Sequence, residues 1–131
     1  MTESKIQTSG YVLLVDDNDS LRTGLKKLLM LRGYRVIEAS DPEVAFVLLR
    51  QFEDEVQVLV TDIVMPSMNG FEFSRKVHSL YPRIGVLHIS AYGTAESPDP
   101  HPHADVVLRK PITINLLVEA LESVLRRPPA I

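Results

Sequence analysis

The sequence predicts a single α/β domain built on a doubly wound, five-stranded parallel sheet. Short runs of β-branched apolar residues, which are typical of strands buried on both faces, alternate with segments of helical spacing. Strands that alternate with helices imply right-handed crossovers and therefore a parallel sheet. The chain has 131 residues, of which 45% are hydrophobic and 24% charged, and this size and composition are ordinary for one soluble domain.

The apolar runs predict the individual elements. Five strands are expected, at residues 11–15, 35–39, 56–61, 85–89 and 105–109. Helices are expected over about residues 20–31, from Pro42 onward, over about 70–80 and over about 112–127.

Helix ends and inward faces also follow from the sequence. Gly33 is expected to stop the first helix, and Asp41 to cap the second, with Pro42 in its first turn. The apolar stripes expected to face the sheet are Leu21, Leu25, Leu28 and Leu29 in the first helix, Val44, Ala45, Leu48 and Leu49 in the second, and Ile112, Leu116, Ala120, Leu121, Val124 and Leu125 in the last.

The interval between the fourth and fifth strands departs from the alternation. It contains three prolines that would each remove a backbone donor and clash with the preceding turn, namely Pro98, Pro100 and Pro102. A helix here is therefore expected to be short or missing.

His101 and His103 are expected to be loop residues rather than metal ligands, because no further ligand is near them in the sequence. His88, inside the fourth strand, is expected to be a hydrogen-bonded core histidine.

Composition excludes several classes of protein. The chain has no cysteine, which rules out disulfides, thiolate metal sites and cysteine nucleophiles. The formal net charge of -3 does not suggest a basic face for nucleic acid. The first ten residues are polar, unlike a signal peptide, and no apolar run approaches the roughly 18 residues of a membrane helix. A cytoplasmic protein without membrane contact is therefore expected.

Polar residues follow four of the predicted strands. Asp16 and Asp17 follow the first strand, Asp62 the third, Ser90 the fourth and Lys110 the fifth. In an open α/β sheet, ligands bind at the carboxyl ends of the strands. Residues that are far apart in the sequence are therefore expected to meet in one crevice at this edge.

This set of residues suits phosphoryl transfer. Three carboxylates in one crevice repel one another and need a cation, and ligands that are all oxygen favour Mg²⁺. A lysine supplies positive charge for a phosphate, and a serine hydroxyl can donate to a phosphate oxygen. Asp62 is the best candidate for the acceptor, because a carboxylate can form an acyl phosphate and Asp62 ends a central strand.

At these residues the chain resembles the receiver domains of two-component response regulators, including the chemotaxis regulators. The matching motifs are Val15-Asp16-Asp17, Thr61-Asp62-Ile63-Val64-Met65-Pro66 with Met68 and Gly70, Ile89-Ser90-Ala91, and Lys110-Pro111. The resemblance implies a flavodoxin-like receiver fold with strand order 2-1-3-4-5. It implies a receiver domain over residues 10–127, with a flexible segment at 1–9 and a tail at 128–131.

The resemblance also implies a role for each site residue. Asp62 would be the phosphoacceptor and would ligate Mg²⁺ together with Asp17 and the backbone carbonyl of Val64. Asp16 would bind the metal mostly through water.

Two further residues would contact the phosphoryl group itself. Lys110 would pair with its oxygens, and Ser90 would shift to hydrogen-bond it. A histidine kinase or histidine phosphotransfer protein would donate the group, and the modified chain would act on a downstream protein. The chain would not be a turnover enzyme on an external substrate.

Three departures from the family pattern lead to further expectations. Val107 stands where an aromatic residue or histidine is usual, the fourth helix is shortened or replaced, and the interval from Ser90 to Lys110 is slightly short. Output is therefore not expected through the common dimer face of the fourth and fifth helices. Val64 and Tyr92 offer no amide or carboxylate to orient an attacking water, so self-dephosphorylation is expected to be slow.

Other functions fit the sequence less well. A flavin-binding protein would need a phosphate loop where this chain has Asp16-Asp17-Asn18-Asp19, and no G-x-G-x-x-G turn is present for a dinucleotide. The alternative that stays open is a degenerate receiver that acts as a phosphorylation-independent interaction module. Met1 favours a stand-alone protein, with a fragment of a larger regulator or hybrid kinase as the alternative.

Overall fold

The computed structural model of the protein describes residues 10–62, 70–90, 106–109 and 112–126. In these ranges the chain forms a five-stranded sheet with the order β2-β1-β3-β4-β5, and every pairing is parallel. The strands are β1 Tyr11–Val15, β2 Arg35–Ala39, β3 Val56–Asp62, β4 Gly85–Ser90 and β5 Val106–Arg109. The predicted fold class and strand order are therefore confirmed.

Two strands are one residue longer than predicted. Asp62 belongs to β3 because it pairs with Ile89, and Ser90 belongs to β4 because it pairs with Arg109. Both residues therefore continue the regular sheet up to its carboxyl edge.

Four helices occur in the described ranges, α1 Asp19–Leu31, α2 Pro42–Gln51, α3 Gly70–Leu80 and α4 Ile114–Arg126. None of these helices has the length and apolar character needed to cross a membrane. The expectation of a short or missing helix between β4 and β5 concerns residues 91–105, which lie outside the described residues.

Side-chain caps fix three helix starts. The Oδ1 atom of Asn18 accepts a hydrogen bond of 3.0 Å from Leu21 N, so α1 begins at Asp19. Asp41 caps α2 as predicted, through a 3.0 Å bond from Val44 N. The last helix was expected from about residue 112 but begins at Ile114, because Thr113 Oγ1 accepts from Leu116 N at 3.1 Å.

The helices cover both faces of the sheet, which gives two core layers. In β1, Val12 and Leu14 face the layer beneath α1 and α4, whereas Leu13 and Val15 face the layer beneath α2 and α3. This alternation is what a doubly wound sheet requires, since both faces of its central strands are covered.

Three of the leucines and valines expected to face the sheet are exposed instead. They are Leu28 in α1, Val44 in α2 and Leu116 in α4. The buried face of each helix is narrower than predicted. Only one side of a helix faces the sheet, so apolar residues at the margin of the predicted stripe stay in contact with solvent. In α4, Leu117 is fully buried and occupies the inward position that had been expected for its neighbour.

Candidate functional site

Three carboxylates meet at the carboxyl edge of the sheet. One oxygen from each of Asp16, Asp17 and Asp62 lies within 4.8 Å of the other two. Asp16 is 1% exposed and Asp62 is 6% exposed, whereas Asp17 is exposed. The structure thus brings together three of the residues that the sequence predicted to meet.

Strand register explains why these carboxylates converge. β1 and β3 are adjacent and parallel, and Val15 at the end of β1 pairs with Thr61. Asp16, the residue after β1, and Asp62, the last residue of β3, are therefore at the same level of the sheet. Parallel pairing places both residues at the carboxyl edge, where ligands bind in this class of fold.

The other predicted site residues are described only in part. Ser90 is the last residue of β4, and its backbone lies one residue beyond Ile89, the partner of Asp62. Lys110 and Val64 lie outside the described residues. Lys110 follows directly after Arg109, which pairs with Ser90 at the same edge of the sheet.

The turn that carries Asp16 and Asp17 is held by backbone and side-chain hydrogen bonds. Asp16 Oδ1 accepts from Asn18 N at 2.8 Å, and Asp16 N donates to Ala39 O at 3.2 Å. The carbonyl oxygen of Asp16 accepts a 2.7 Å hydrogen bond from Nη1 of Arg22. Arg22 therefore lies next to the site, although no motif in the sequence indicated it.

Arg22 belongs to a charged network between α1 and β2. Its Nε atom lies 2.9 Å from Glu38 Oε1, and Lys26 Nζ lies 3.2 Å from Glu38 Oε2. Partial burial by itself would raise the pKa of Glu38, but hydrogen bonds from the two cations and their charges outweigh that effect and lower the pKa. Glu38 is therefore held as a carboxylate.

The chemistry of the acidic cluster fits a divalent hard cation. Its donors are all carboxylate oxygens, which Mg²⁺ and Ca²⁺ prefer, and they are close enough to share one ion. Two of the three carboxylates are buried, so their mutual repulsion is screened little by solvent. A bound cation would relieve that repulsion.

The buried histidine predicted from the sequence is confirmed. His88 lies inside β4, and its Nε2 atom is hydrogen-bonded to the hydroxyl of Ser74 on α3. The pair lies in the core layer beneath α2 and α3, two residues before Ser90 at the sheet edge.

Comparison with known proteins identifies a family. The family model described as the response regulator receiver domain matches residues 12–122. The response regulator receiver protein CpdR of Brucella abortus is 33% identical over 116 residues, a match that covers 87% of this chain and 95% of that protein. The sensor kinase CckA of the same organism is 37% identical over 84 residues, covering 64% of this chain but only 9% of the kinase.

Solved structures have the same fold. The response regulator protein TrrA of Thermotoga maritima, crystallised in complex with Mg²⁺ and BeF, is 26% identical. It superimposes with a TM-score of 0.77, covering 88% of this chain and 99% of that one. This chain thus matches nearly the whole of some relatives and a small part of others.

Proposed function

This chain belongs to the response regulator receiver domain family, and on that premise we propose that Asp62 accepts a phosphoryl group in a reaction that depends on Mg²⁺. The observation that carries the proposal is the position of Asp62, nearly buried at the end of a central strand and within 4.8 Å of two other carboxylates. A histidine kinase or histidine phosphotransfer protein would be the donor. The receiver domain would span residues 10–127.

Four groups would hold the metal. Asp17 and Asp62 would ligate it directly together with the backbone carbonyl of Val64, and Asp16 would bind mostly through water. Mg²⁺ typically takes one or two carboxylates and keeps several waters, which suits a cluster with one exposed member, Asp17. When bound, the ion neutralises the negative charge of the cluster and of the incoming phosphoryl oxygens.

The chain's own residues would carry out the transfer. A carboxylate oxygen of Asp62 attacks the phosphorus of a phosphohistidine, and the new O–P bond forms as the N–P bond breaks. The departing imidazole of the donor takes up a proton. Lys110 would pair with the phosphoryl oxygens, and the hydroxyl of Ser90 would donate a hydrogen bond to one of them.

The acyl phosphate would then alter a surface that a downstream protein recognises. A phosphoryl group adds a charge of about -1.5 to -2 near neutral pH, enough to bias a two-state element. Val107 cannot act as a rotating aromatic that follows Ser90, so we expect output through a surface other than the common dimer face of the family. Val64 and Tyr92, two residues beyond Asp62 and Ser90 in the sequence, offer no amide or carboxylate to orient an attacking water, which favours a long-lived phosphoryl group.

Intact mass spectrometry tests this function directly. The protein is incubated with acetyl phosphate in the presence and absence of Mg²⁺, and Asp62→Asn is treated in parallel. We expect a gain of one phosphoryl group that requires both Mg²⁺ and Asp62. No gain, under conditions where a control receiver reacts, would favour the interaction module that has kept the fold and lost the chemistry.

A further inference from the structure

Arg22 connects three different parts of the chain beside the acidic cluster. Its Nη1 atom donates to the carbonyl oxygen of Asp16 at 2.7 Å, and its Nη2 atom lies 2.8 Å from Asp19 Oδ1. Its Nε atom donates to Glu38 Oε1 at 2.9 Å. The Arg22 side chain is only 12% exposed, and Glu38 is 28% exposed, so the contacts to Asp16 and Glu38 are largely shielded from solvent. The Asp19 side chain is 81% exposed, so the contact to Asp19 lies at the surface.

Two of these contacts lie at opposite ends of one short turn. Asp16 follows β1 and Asp19 is the first residue of α1, so residues 16–18 connect strand and helix, and residues 16–19 form the turn. Asp17, the exposed carboxylate of the cluster, lies between them. The third contact, to Glu38, anchors the guanidinium to β2, a strand that is already fixed in the sheet next to β1.

We propose that Arg22 is a positioning residue, which holds the turn of Asp16 and Asp17 in the geometry that binds Mg²⁺. This inference rests on the function proposed above. Carboxylates that lie within 4.8 Å of one another repel, and the exposed Asp17 is free to move away unless its backbone is held. A turn that is already fixed at both ends loses less conformational entropy when the ion binds, so the ion binds more tightly.

Only a guanidinium suits this role. Its planar group presents donors in fixed directions and can reach an acceptor on each of three sides. A lysine ammonium at the same position is a compact point charge on a flexible stem and could keep the pair with Glu38 while losing the carbonyl of Asp16. Arg22→Lys therefore retains the charge and removes the fixed geometry.

Lys26 provides a matched control within the same network. It lies one turn further along α1 and pairs with the other oxygen of Glu38 at 3.2 Å. Among the described residues, it forms no hydrogen bond or ion pair with the turn at 16–19. Lys26→Met therefore removes a cation from Glu38 without touching the turn that carries the acidic cluster.

The test measures Mg²⁺ binding separately from phosphorylation. Mg²⁺ affinity of the full chain is obtained from amide shifts in an NMR titration, and acetyl phosphate labelling is followed at increasing Mg²⁺. For Arg22→Lys we expect affinity to fall by about tenfold, the scale seen when groups supporting metal ligands are changed. Labelling should return to the wild-type rate at saturating Mg²⁺. Lys26→Met should bind Mg²⁺ like the wild type.

The outcomes separate this inference from the proposed function. If the wild type is labelled and Arg22→Lys binds Mg²⁺ with wild-type affinity, the positioning role is wrong and the function stands. If the wild type itself neither binds Mg²⁺ nor gains a phosphoryl group, both are wrong. Should Arg22→Lys not fold, Glu38→Gln replaces it. Half-maximal labelling of Glu38→Gln is expected to need a higher Mg²⁺ concentration than that of Lys26→Met. Equal Mg²⁺ requirements of the two variants would overturn the inference.

Discussion

The hydroxyl of Ser74 on α3 and the Nε2 atom of His88 on β4 are hydrogen-bonded inside the core. Both side chains are buried, and the pair joins a helix to a strand that ends at the acidic edge of the sheet. This polar contact inside an apolar core layer has a consequence for stability that can be measured.

Ser74→Ala is expected to lower the free energy of unfolding by about 1–3 kcal/mol, because it removes a hydrogen bond from a buried ring nitrogen. Urea denaturation of the wild type and the variant measures the difference. Ser79→Ala on the exposed side of the same helix is the control and should change stability little. Equal effects of the two substitutions would mean that the buried contact contributes nothing.

Asp62→Asn is expected to stabilise the metal-free protein by about 1 kcal/mol, because it removes one of three mutually repelling carboxylates. Urea denaturation in EDTA measures this gain. Asp54→Asn makes the same change in net charge in the exposed turn before β3, away from the cluster, and should not stabilise. A less stable Asp62→Asn in EDTA would contradict the idea that the cluster is strained without a cation.

Glu38→Gln is expected to change how stability depends on pH. The pKa of Glu38 is lowered from its ordinary value of 4.5 by Arg22 and Lys26, in spite of its partial burial. The stability that the carboxylate contributes is therefore fully present above pH 4.5 and is lost as the pH falls through the lower, folded-state pKa.

Unfolding free energies of the wild type and Glu38→Gln should accordingly differ most at neutral pH and converge in acid. Urea denaturation at a series of pH values gives both curves. The exposed Glu53→Gln is the control, and its difference from the wild type is expected to be small throughout. A Glu38→Gln difference that stays constant into acid would show that its ion pairs carry no linked stability.

Two glycines are expected to respond to alanine in opposite directions. A Cβ atom at Gly10 would collide with the backbone carbonyl of Glu55, so Gly10→Ala should destabilise by about 1–3 kcal/mol. A Cβ atom at Gly24, inside α1, would meet nothing within 4 Å. Gly24→Ala should therefore stabilise by about 0.5–1 kcal/mol. Thermal denaturation of the two variants and the wild type tests the prediction. Melting temperatures that shift in the same direction in both variants would refute it.

Much of the fold could be predicted because its signals are local. Each strand is a short β-branched run, and the caps at Asp41 and Gly33 lie where the sequence places them. Asp16, Asp17 and Asp62 could be assigned to one site because parallel strands bring their carboxyl ends to one edge, whatever the details of packing.

The contributions of Arg22 and Ser74 could not be predicted in the same way. Which basic residue of α1 contacts the preceding turn depends on how far α1 is rotated against β2, where Glu38 lies. The sequence indicated that His88 would have a hydrogen-bond partner, but the identity of Ser74 depends on the packing of α3 against β4. The misassigned Leu28 and Leu116 have the same origin, since rotation of a helix decides which apolar positions face the sheet.

The parallel pairing of β1 with β3 also bears on the order in which the protein assembles. These two strands are joined through the whole of α1, β2 and α2, so their pairing must close a long loop before its contacts are gained. Asp16 and Asp62 come together only through that pairing. A nascent chain in which β3 is incomplete therefore lacks the ion site. Cation binding would report that the central strands β1 and β3 have paired.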